Sequence, residues 1–239
     1  MTPVSPVFYN MSSSVSKYNW NVNNTDPVAM RKSKCIDFAK DLPWLKDCVL
    51  ETALSEISGL SFASEDVRYL QNMGVELPFK SGKDCVDFIK KENIRIYFSK
   101  PYDVDIHAQY SFDKNAIMIN KRYKDTKDFA VMLAIGEAIL HEAGHARDKD
   151  GQSSIQEELN FLGMNVVAHR AFLKKYPDIF QDSEEPIIKD GVSVYEKLFF
   201  EPDPEKKNLI ARIKDKYGDL PTGDTLHPPG VIARSVIRA

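Results

Sequence analysis

The stretch that decides the fold is FAVMLAIGEAILHEAGHARD, at residues 129–148. Its first twelve residues contain one charged side chain, Glu137, and the pentapeptide HEAGH follows directly at 141–145. An apolar run of this length is too short to span a bilayer, but it suits a helix inside a protein core. Asp125 and Asp128 precede the run and can start such a helix. We therefore predict a buried helix that carries HEAGH at its inner end.

HEAGH has the residue types and the spacing of a zinc site. His141 and His145 are four residues apart, so on a helix their rings project from one face, about one turn apart. Glu142 lies about 100° further round the helix and is close enough to act as general base towards a water molecule. Zinc would also satisfy two imidazoles that are otherwise costly to bury. The alternative is an exposed polar helix end that holds two histidines by chance.

A catalytic zinc site needs a third protein ligand and one open position. Residue 151 is glycine, which excludes the metzincin arrangement with a third histidine at that point. A turn at Asp150–Gly151 can bring the next predicted helix, 153–176, back beside the first. Glu157 and Glu158 lie at its start, although acidic residues favour the first turn of any helix. We predict a His–His–Glu site.

The two segments HEAGH and EELNFLG (157–163) together resemble the glutamate-ligand zinc hydrolases called gluzincins. The EELxxxG spacing is similar to the second motif of clostridial neurotoxin light chains and of zinc proteases that bacterial secretion systems inject. The resemblance implies a zincin-like fold, Zn²⁺ as cofactor and hydrolysis of a peptide or protein substrate. It also implies that Glu158 binds zinc and that Glu157 buttresses the site. It identifies no particular substrate.

Such chemistry also needs a donor for the oxyanion that forms at the attacked carbonyl. The candidates are His107, His169, His227 and Tyr195. His169 is about three turns beyond Glu158 on the same helix face, which is too far for direct ligation. The segment HPPGVIAR around His227 resembles the HPP–x–R ending of several HExxH families, including CAAX-type prenyl proteases. We therefore take His227 as the predicted catalytic residue beside Glu142.

Two further carboxylates flank the motif. Asp148 shares a helical face with the two histidines and can orient a ligand imidazole, or it can be a solvated member of the charged run RDKD. Glu137, one turn before His141, is either a buttress of the same kind or part of a helix contact.

The order of elements predicts an α+β fold. Before the motif we expect a helix from about Pro43 to Gly59, a short helix capped by Ser64 that stops at Gly74, and a helix behind a capping box of Ser81 and Asp84. Strands are expected at 94–98, 106–112 and 115–120, with Asp113–Lys114 as a two-residue hairpin loop. After the motif come helix 153–176, with Ser153 or Ser154 as N-cap, and helix 203–218. This order favours a small mixed or antiparallel sheet between helical parts.

The gluzincin resemblance adds an expectation about the sheet. One strand of 106–120 should form the rim of the cleft and pair with an extended peptide. The alternative is an ordinary core hairpin.

Length and composition are those of one globular domain, with 239 residues and 43% apolar residues. We expect residues 1–27 to be a loosely attached tail and 28–239 to be one domain, in which 28–150 carries the sheet and motif helix and 151–239 is a helical lobe. A net charge of −3 gives no reason to expect nucleic-acid binding. Without a membrane span or a secretory signal, we expect a cytoplasmic protein or an effector secreted without a classical signal peptide. The oligomeric state is open.

Three functions fit these observations. The first is a zinc metallopeptidase that acts on one protein or a narrow set of proteins. The second is a zincin-fold regulatory or effector protein whose metal site serves control rather than general proteolysis. The third is a structural domain that has kept the motif without the metal.

Overall fold

The structure is a computed structural model that describes residues 42–100, 105–148, 153–181, 183–189, 191–200, 207–218 and 220–221. Within these residues it forms eight α-helices and a three-stranded sheet. The helices are α1 (Cys48–Ser58), α2 (Ser64–Asn72), α3 (Gly82–Lys91), α4 (Phe129–Asp148), α5 (Ile155–Lys175), α6 (Pro186–Lys189), α7 (Val192–Phe200) and α8 (Lys207–Tyr217). The strands are β1 (Arg95–Ser99), β2 (Ala108–Ser111) and β3 (Ala116–Asn120). The predicted α+β class is confirmed, whereas the tail 1–27 lies outside the described residues.

The helix starts follow local capping chemistry, with two corrections to the predictions. Helix α1 begins five residues later than Pro43, because the Asp47 carboxylate accepts the N–H groups of Val49 (2.9 Å) and Leu50 (3.4 Å). The prediction that Ser64 caps α2 is wrong. Ser64 is the first helical residue, and the preceding Ala63 offers no side-chain cap.

The predicted capping box before α3 is half formed. Ser81 Oγ accepts the N–H of Asp84 at 3.2 Å, as expected. The Asp84 carboxylate accepts instead from the N–H of Lys80, at 3.0 Å. Ser81 is therefore the N-cap of α3, and the Asp84 side chain bonds instead to Lys80, the residue before Ser81.

The sheet has the strand order β1–β3–β2, so β2 is an edge strand. Strand β3 pairs in parallel with β1 and antiparallel with β2. The hairpin loop is longer than the predicted two residues, since the pairing ends at Ser111 and Ala116. Asn115 closes the loop at a φ of 43°, with its N–H bonded to Phe112 O at 3.1 Å. An asparagine tolerates this left-handed conformation, which explains how the turn forms without glycine.

Helix α4 forms the centre of the core. Every residue from Ala130 to Ala146 is buried, which confirms the predicted buried helix with HEAGH at its inner end. It packs against α1, α5 and β2. Among the described residues, no helix combines the length and apolarity needed to cross a membrane.

Candidate metal centre

Two adjacent helices bring three metal-ligating side chains together. His141 and His145 project from α4, and Glu158 projects from the first turn of α5. One ligand atom from each lies within 4.8 Å of the others, and the three side chains are at most 4% exposed. The Glu158 carboxylate lies between the rings, 3.4 Å from His141 Nε2 and 3.5 Å from His145 Nε2. The structure therefore contains a buried group that could hold a metal ion.

The polar atoms of this group are not satisfied by each other. Both ring nitrogens of His141 and Oε2 of Glu158 lack a hydrogen-bond partner among the described residues. Folded proteins leave few buried polar atoms in that state, because each costs about 1–3 kcal/mol. Two ligands bound tetrahedrally to zinc at 2.0–2.1 Å lie about 3.3 Å apart. The separations of the two Glu158 oxygens from the histidine nitrogens are close to that distance, and all three ligand atoms lie within 4.8 Å of one another, so the residues could hold a metal ion such as zinc.

The protonation states also suit a metal. Burial alone would raise the pKa of Glu158, but the two imidazoles hold it below its ordinary value, so the carboxylate is charged. Burial lowers the pKa of His145 to about 4, with Glu158 opposing the shift and His141 adding to it. His145 is thus neutral near pH 7. Neutral imidazole and ionised carboxylate are the forms that bind divalent metals.

The two adjacent glutamates of α5 have separate roles. Glu157 forms a capping box: its N–H donates to Ser154 Oγ at 3.1 Å, and its Oε2 accepts the Ser154 N–H at 2.5 Å. The predicted N-cap at Ser154 is confirmed, which settles the choice between Ser153 and Ser154. Glu158 is the glutamate that faces the histidines. Glu157 acts on the site through the start of its helix.

Phe161 packs the two histidine rings from α5. Its ring centroid lies 4.6 Å from that of His145 and 5.8 Å from that of His141, in both cases edge to face. This packing requires Gly144, because a Cβ there would lie 2.6 Å from Phe161 Cδ1. The glycine within HEAGH therefore lets α5 approach close enough for Glu158 to reach the histidines.

Glu142 projects from the same helix towards the sheet. It is 1% exposed, and its Oε2 accepts the backbone N–H of Tyr110 in β2 at 2.6 Å, while Oε1 has no partner among the described residues. Burial raises the pKa of Glu142 well above its ordinary value; the Tyr110 N–H opposes this and the Glu158 charge adds to it. One carboxylate oxygen is thus anchored and the other is available beside the cluster.

The structure separates the remaining candidates. His169 is outside the metal group: its Nδ1 bonds to Glu137 Oε1 at 2.9 Å, and both side chains are buried. Glu137 is therefore half of a helix contact. Asp148 ends α4 as an exposed residue, and His227 lies outside the described residues. His107 bonds through Nδ1 to the Tyr123 hydroxyl at 2.7 Å.

Two tyrosines lie on the helical side of the site. Burial raises the pKa of Tyr195 to about 12, with a smaller upward contribution from Glu158. Tyr217, which the sequence analysis did not single out, is more strongly affected: burial raises its pKa well above the usual value, and Glu158, Tyr195 and Glu142 raise it further. Both hydroxyls therefore remain protonated donors. The only sequence signal for Tyr217 is its place in the last turn of a predicted helix, just before Gly218.

Comparisons with protein-family models, with curated proteins and with solved structures give no match for this chain. Its function is therefore inferred from the site itself.

Proposed function

We propose that the chain is a zinc-dependent metallopeptidase of the gluzincin type, with a zincin-like arrangement of sheet and motif helix. The observation that carries the proposal is the buried group of His141, His145 and Glu158. Both ring nitrogens of His141 and Oε2 of Glu158 have no hydrogen-bond partner among the described residues, and one ligand atom from each of the three residues lies within 4.8 Å of the others, which is close enough for one ion to bind all three.

The reaction needs little beyond the residues already described. Zinc in this site would act as a Lewis acid on a carbonyl and make water acidic enough to react near neutral pH. Glu142 would take the proton of the attacking water on its free Oε1 and pass it to the leaving amine. The Tyr110 N–H holds Oε2, which keeps the carboxylate aimed at the reacting water. The buried tyrosine hydroxyls of Tyr195 and Tyr217 would donate to the oxyanion.

The position of β2 supports a peptide as substrate. It is an edge strand, and it touches the catalytic carboxylate through the Tyr110 N–H. An extended peptide that pairs with this edge would run past Glu142 and present its carbonyl groups to the metal centre. In this proposal β2 would be the cleft rim predicted for a strand of 106–120.

The proposal is tested by Glu142→Gln in the zinc-loaded protein, assayed on a mixture of unstructured peptides. The amide keeps the shape of the side chain but cannot accept the proton, so hydrolysis should fall about 10²–10⁴-fold while zinc content stays at one per chain. The matched control is Glu65→Gln, the same change at an exposed position in α2, which should leave the rate unchanged.

Full activity in Glu142→Gln would overturn the general-base assignment. A wild-type protein that holds one zinc but cleaves nothing in the peptide mixture would favour the regulatory alternative. A protein that binds no zinc would contradict both the peptidase proposal and the regulatory alternative.

A further inference from the structure

A small cavity lies beside the metal centre, in the groove between α4 and α5. Its volume is about 40 Å³, and His141 forms part of its wall. Helices α6, α7 and α8 close it from the other side. Most of its lining is apolar, from Ala134, Ala138, Leu162, Ile187 and Val192. Because His141 is part of its wall, the cavity adjoins the candidate metal centre and extends among the helices that follow it in the chain.

Asn165 is a buried polar residue of the cavity wall that the proposed reaction does not use. Asn165 is 6% exposed, and its Oδ1 has no hydrogen-bond partner among the described residues. It lies seven residues after Glu158 on α5, hence on the same face and about 10 Å further along the helix. A buried amide in this state calls for a ligand group or a water molecule.

The charged groups in the wall are already engaged. The Glu137 carboxylate is bonded to His169 at 2.9 Å. Lys216 Nζ lies over the rings of Tyr195 and Tyr217, 5.4 and 5.6 Å from their centroids. A charged side chain entering the cavity would lose its hydration against a wall that is mostly apolar, which is costly. The cavity thus favours an uncharged occupant.

We infer that this cavity receives the side chain of the substrate residue next to the cleaved bond, and that Asn165 selects a short hydroxyl side chain, threonine above all. A hydroxyl can donate a hydrogen bond to the unpartnered Oδ1 of Asn165. The threonine methyl would contact the apolar walls, and the volume excludes long side chains. This inference rests on the proposed function and gives it a substrate preference.

The test uses the full-length, zinc-loaded protein and a set of peptide hydroxamates, which bind zinc and place the next side chain beside it. The set differs only in that side chain: threonine, its isostere valine, leucine or lysine. Binding, measured by calorimetry, should be about tenfold tighter for threonine than for valine, the value of one buried hydrogen bond. Leucine and lysine should bind more weakly than either.

The variant Asn165→Leu keeps the number and branching of the side-chain heavy atoms and removes the amide, so the preference for threonine over valine should vanish. The matched control is Asn72→Leu, at an exposed asparagine that ends α2, and it should keep the preference.

Equal binding of threonine and valine by the zinc-loaded wild type would overturn the subsite while leaving the metal centre intact. An unchanged preference in Asn165→Leu would overturn the role of Asn165. A protein that takes up no zinc, as metal analysis before the titration would show, would overturn the proposed function and this inference with it.

Discussion

Helices α4 and α5 meet through buried histidines and glutamates at two places. One is the metal centre of His141, His145 and Glu158, and the other is the pair of Glu137 and His169. The residue types, the helices and the burial are the same, but the partners differ. Glu137 and His169 make a direct hydrogen bond of 2.9 Å, whereas the metal centre keeps its groups 3.4–3.5 Å apart. The pair satisfies its own hydrogen-bonding groups, whereas the candidate metal centre leaves donor atoms that an ion could satisfy.

The pKa shifts also differ between the pair and the candidate metal centre. Burial raises the pKa of Glu137, although His169 opposes the shift. Burial alone would lower the pKa of His169, but Glu137 outweighs it and raises the value. Both members of the pair therefore hold protons more tightly than free side chains do. In the metal centre the shifts go the opposite way, towards neutral His145 and charged Glu158, which leaves lone pairs for a metal.

The largest effect should come from removing the shared carboxylate of the metal centre. Glu158→Ala should weaken zinc binding by more than a hundredfold, because loss of an outer partner already costs roughly 10–100-fold and Glu158 would be a direct ligand in the proposed site. The control is the neighbouring Glu157→Ala, which removes the capping contact but no ligand. A chelator competition assay measures both, and a larger loss in Glu157→Ala would reverse the assignment of the two glutamates.

Breaking the pair of Glu137 and His169 should lower the stability of the fold and leave zinc binding intact. In His169→Leu, Glu137 stays buried without its partner, and its raised pKa lets it take up a proton rather than keep a buried charge. The free energy of unfolding should therefore fall by about 1–3 kcal/mol, the cost of an unsatisfied buried group. Denaturant unfolding gives this value. Loss of bound zinc in this variant would show that the two regions are one network.

A smaller effect should follow from the cap that positions Glu158. Ser154→Ala removes the hydroxyl that accepts the Glu157 N–H, so unfolding should become easier by about 1 kcal/mol. Ser64→Ala is the control, since Ser64 starts α2 without capping it, and thermal unfolding should detect almost no change. A similar loss in both variants would contradict the capping geometry.

The smallest effect should be a pH dependence specific to the paired region. Folding raises the pKa of Glu137 from 4.5 and that of His169 from 6.5, so the folded state binds more protons than the unfolded chain. The resulting stabilisation is complete at low pH. It declines as the pH rises above about 4.5 for Glu137 and above about 6.5 for His169. Glu196 of α7 adds to the shift of His169.

The measurement compares metal-free wild type with the double variant Glu137→Gln/His169→Gln between pH 4 and 9. Both proteins share the titration of the metal centre, which cancels in the difference. The advantage of the wild type should shrink steadily as the pH rises. If the advantage grew with pH instead, the folded pair would bind fewer protons than the unfolded chain, contrary to this prediction.

The sequence predicted the local features of the site well and the distant ones poorly. The apolar run before HEAGH and the Ser154 cap depend on nearby residues, and both are present. The sequence also contained a reason to prefer Glu158 to Glu157 as the ligand, because Ser154 and Glu157 have the spacing of a capping box. Residues adjacent on a helix point about 100° apart, so a capping Glu157 leaves Glu158 to face α4.

Other features depend on how distant segments meet. The parallel pairing of β1 with β3 and the contact between Glu137 and His169 join parts of the chain that no periodicity connects. Tyr217 reaches the site only because α8 folds back over it. The Asp113–Lys114 loop was predicted too short for a local reason, since Asn115 adopts a left-handed conformation and belongs to the loop rather than to the strand.

Gly144 also bears on how this motif can change over time. The HExxH pattern leaves its two middle positions unspecified, but here the edge of the Phe161 ring takes up the space that a Cβ at the second of them would need. An alanine at 144 would be accepted only after a smaller residue had appeared at 161, and that smaller residue would by itself leave a void beside the histidines. The two positions are therefore expected to vary together, and a relative of this chain that lacks the glycine should lack the phenylalanine as well.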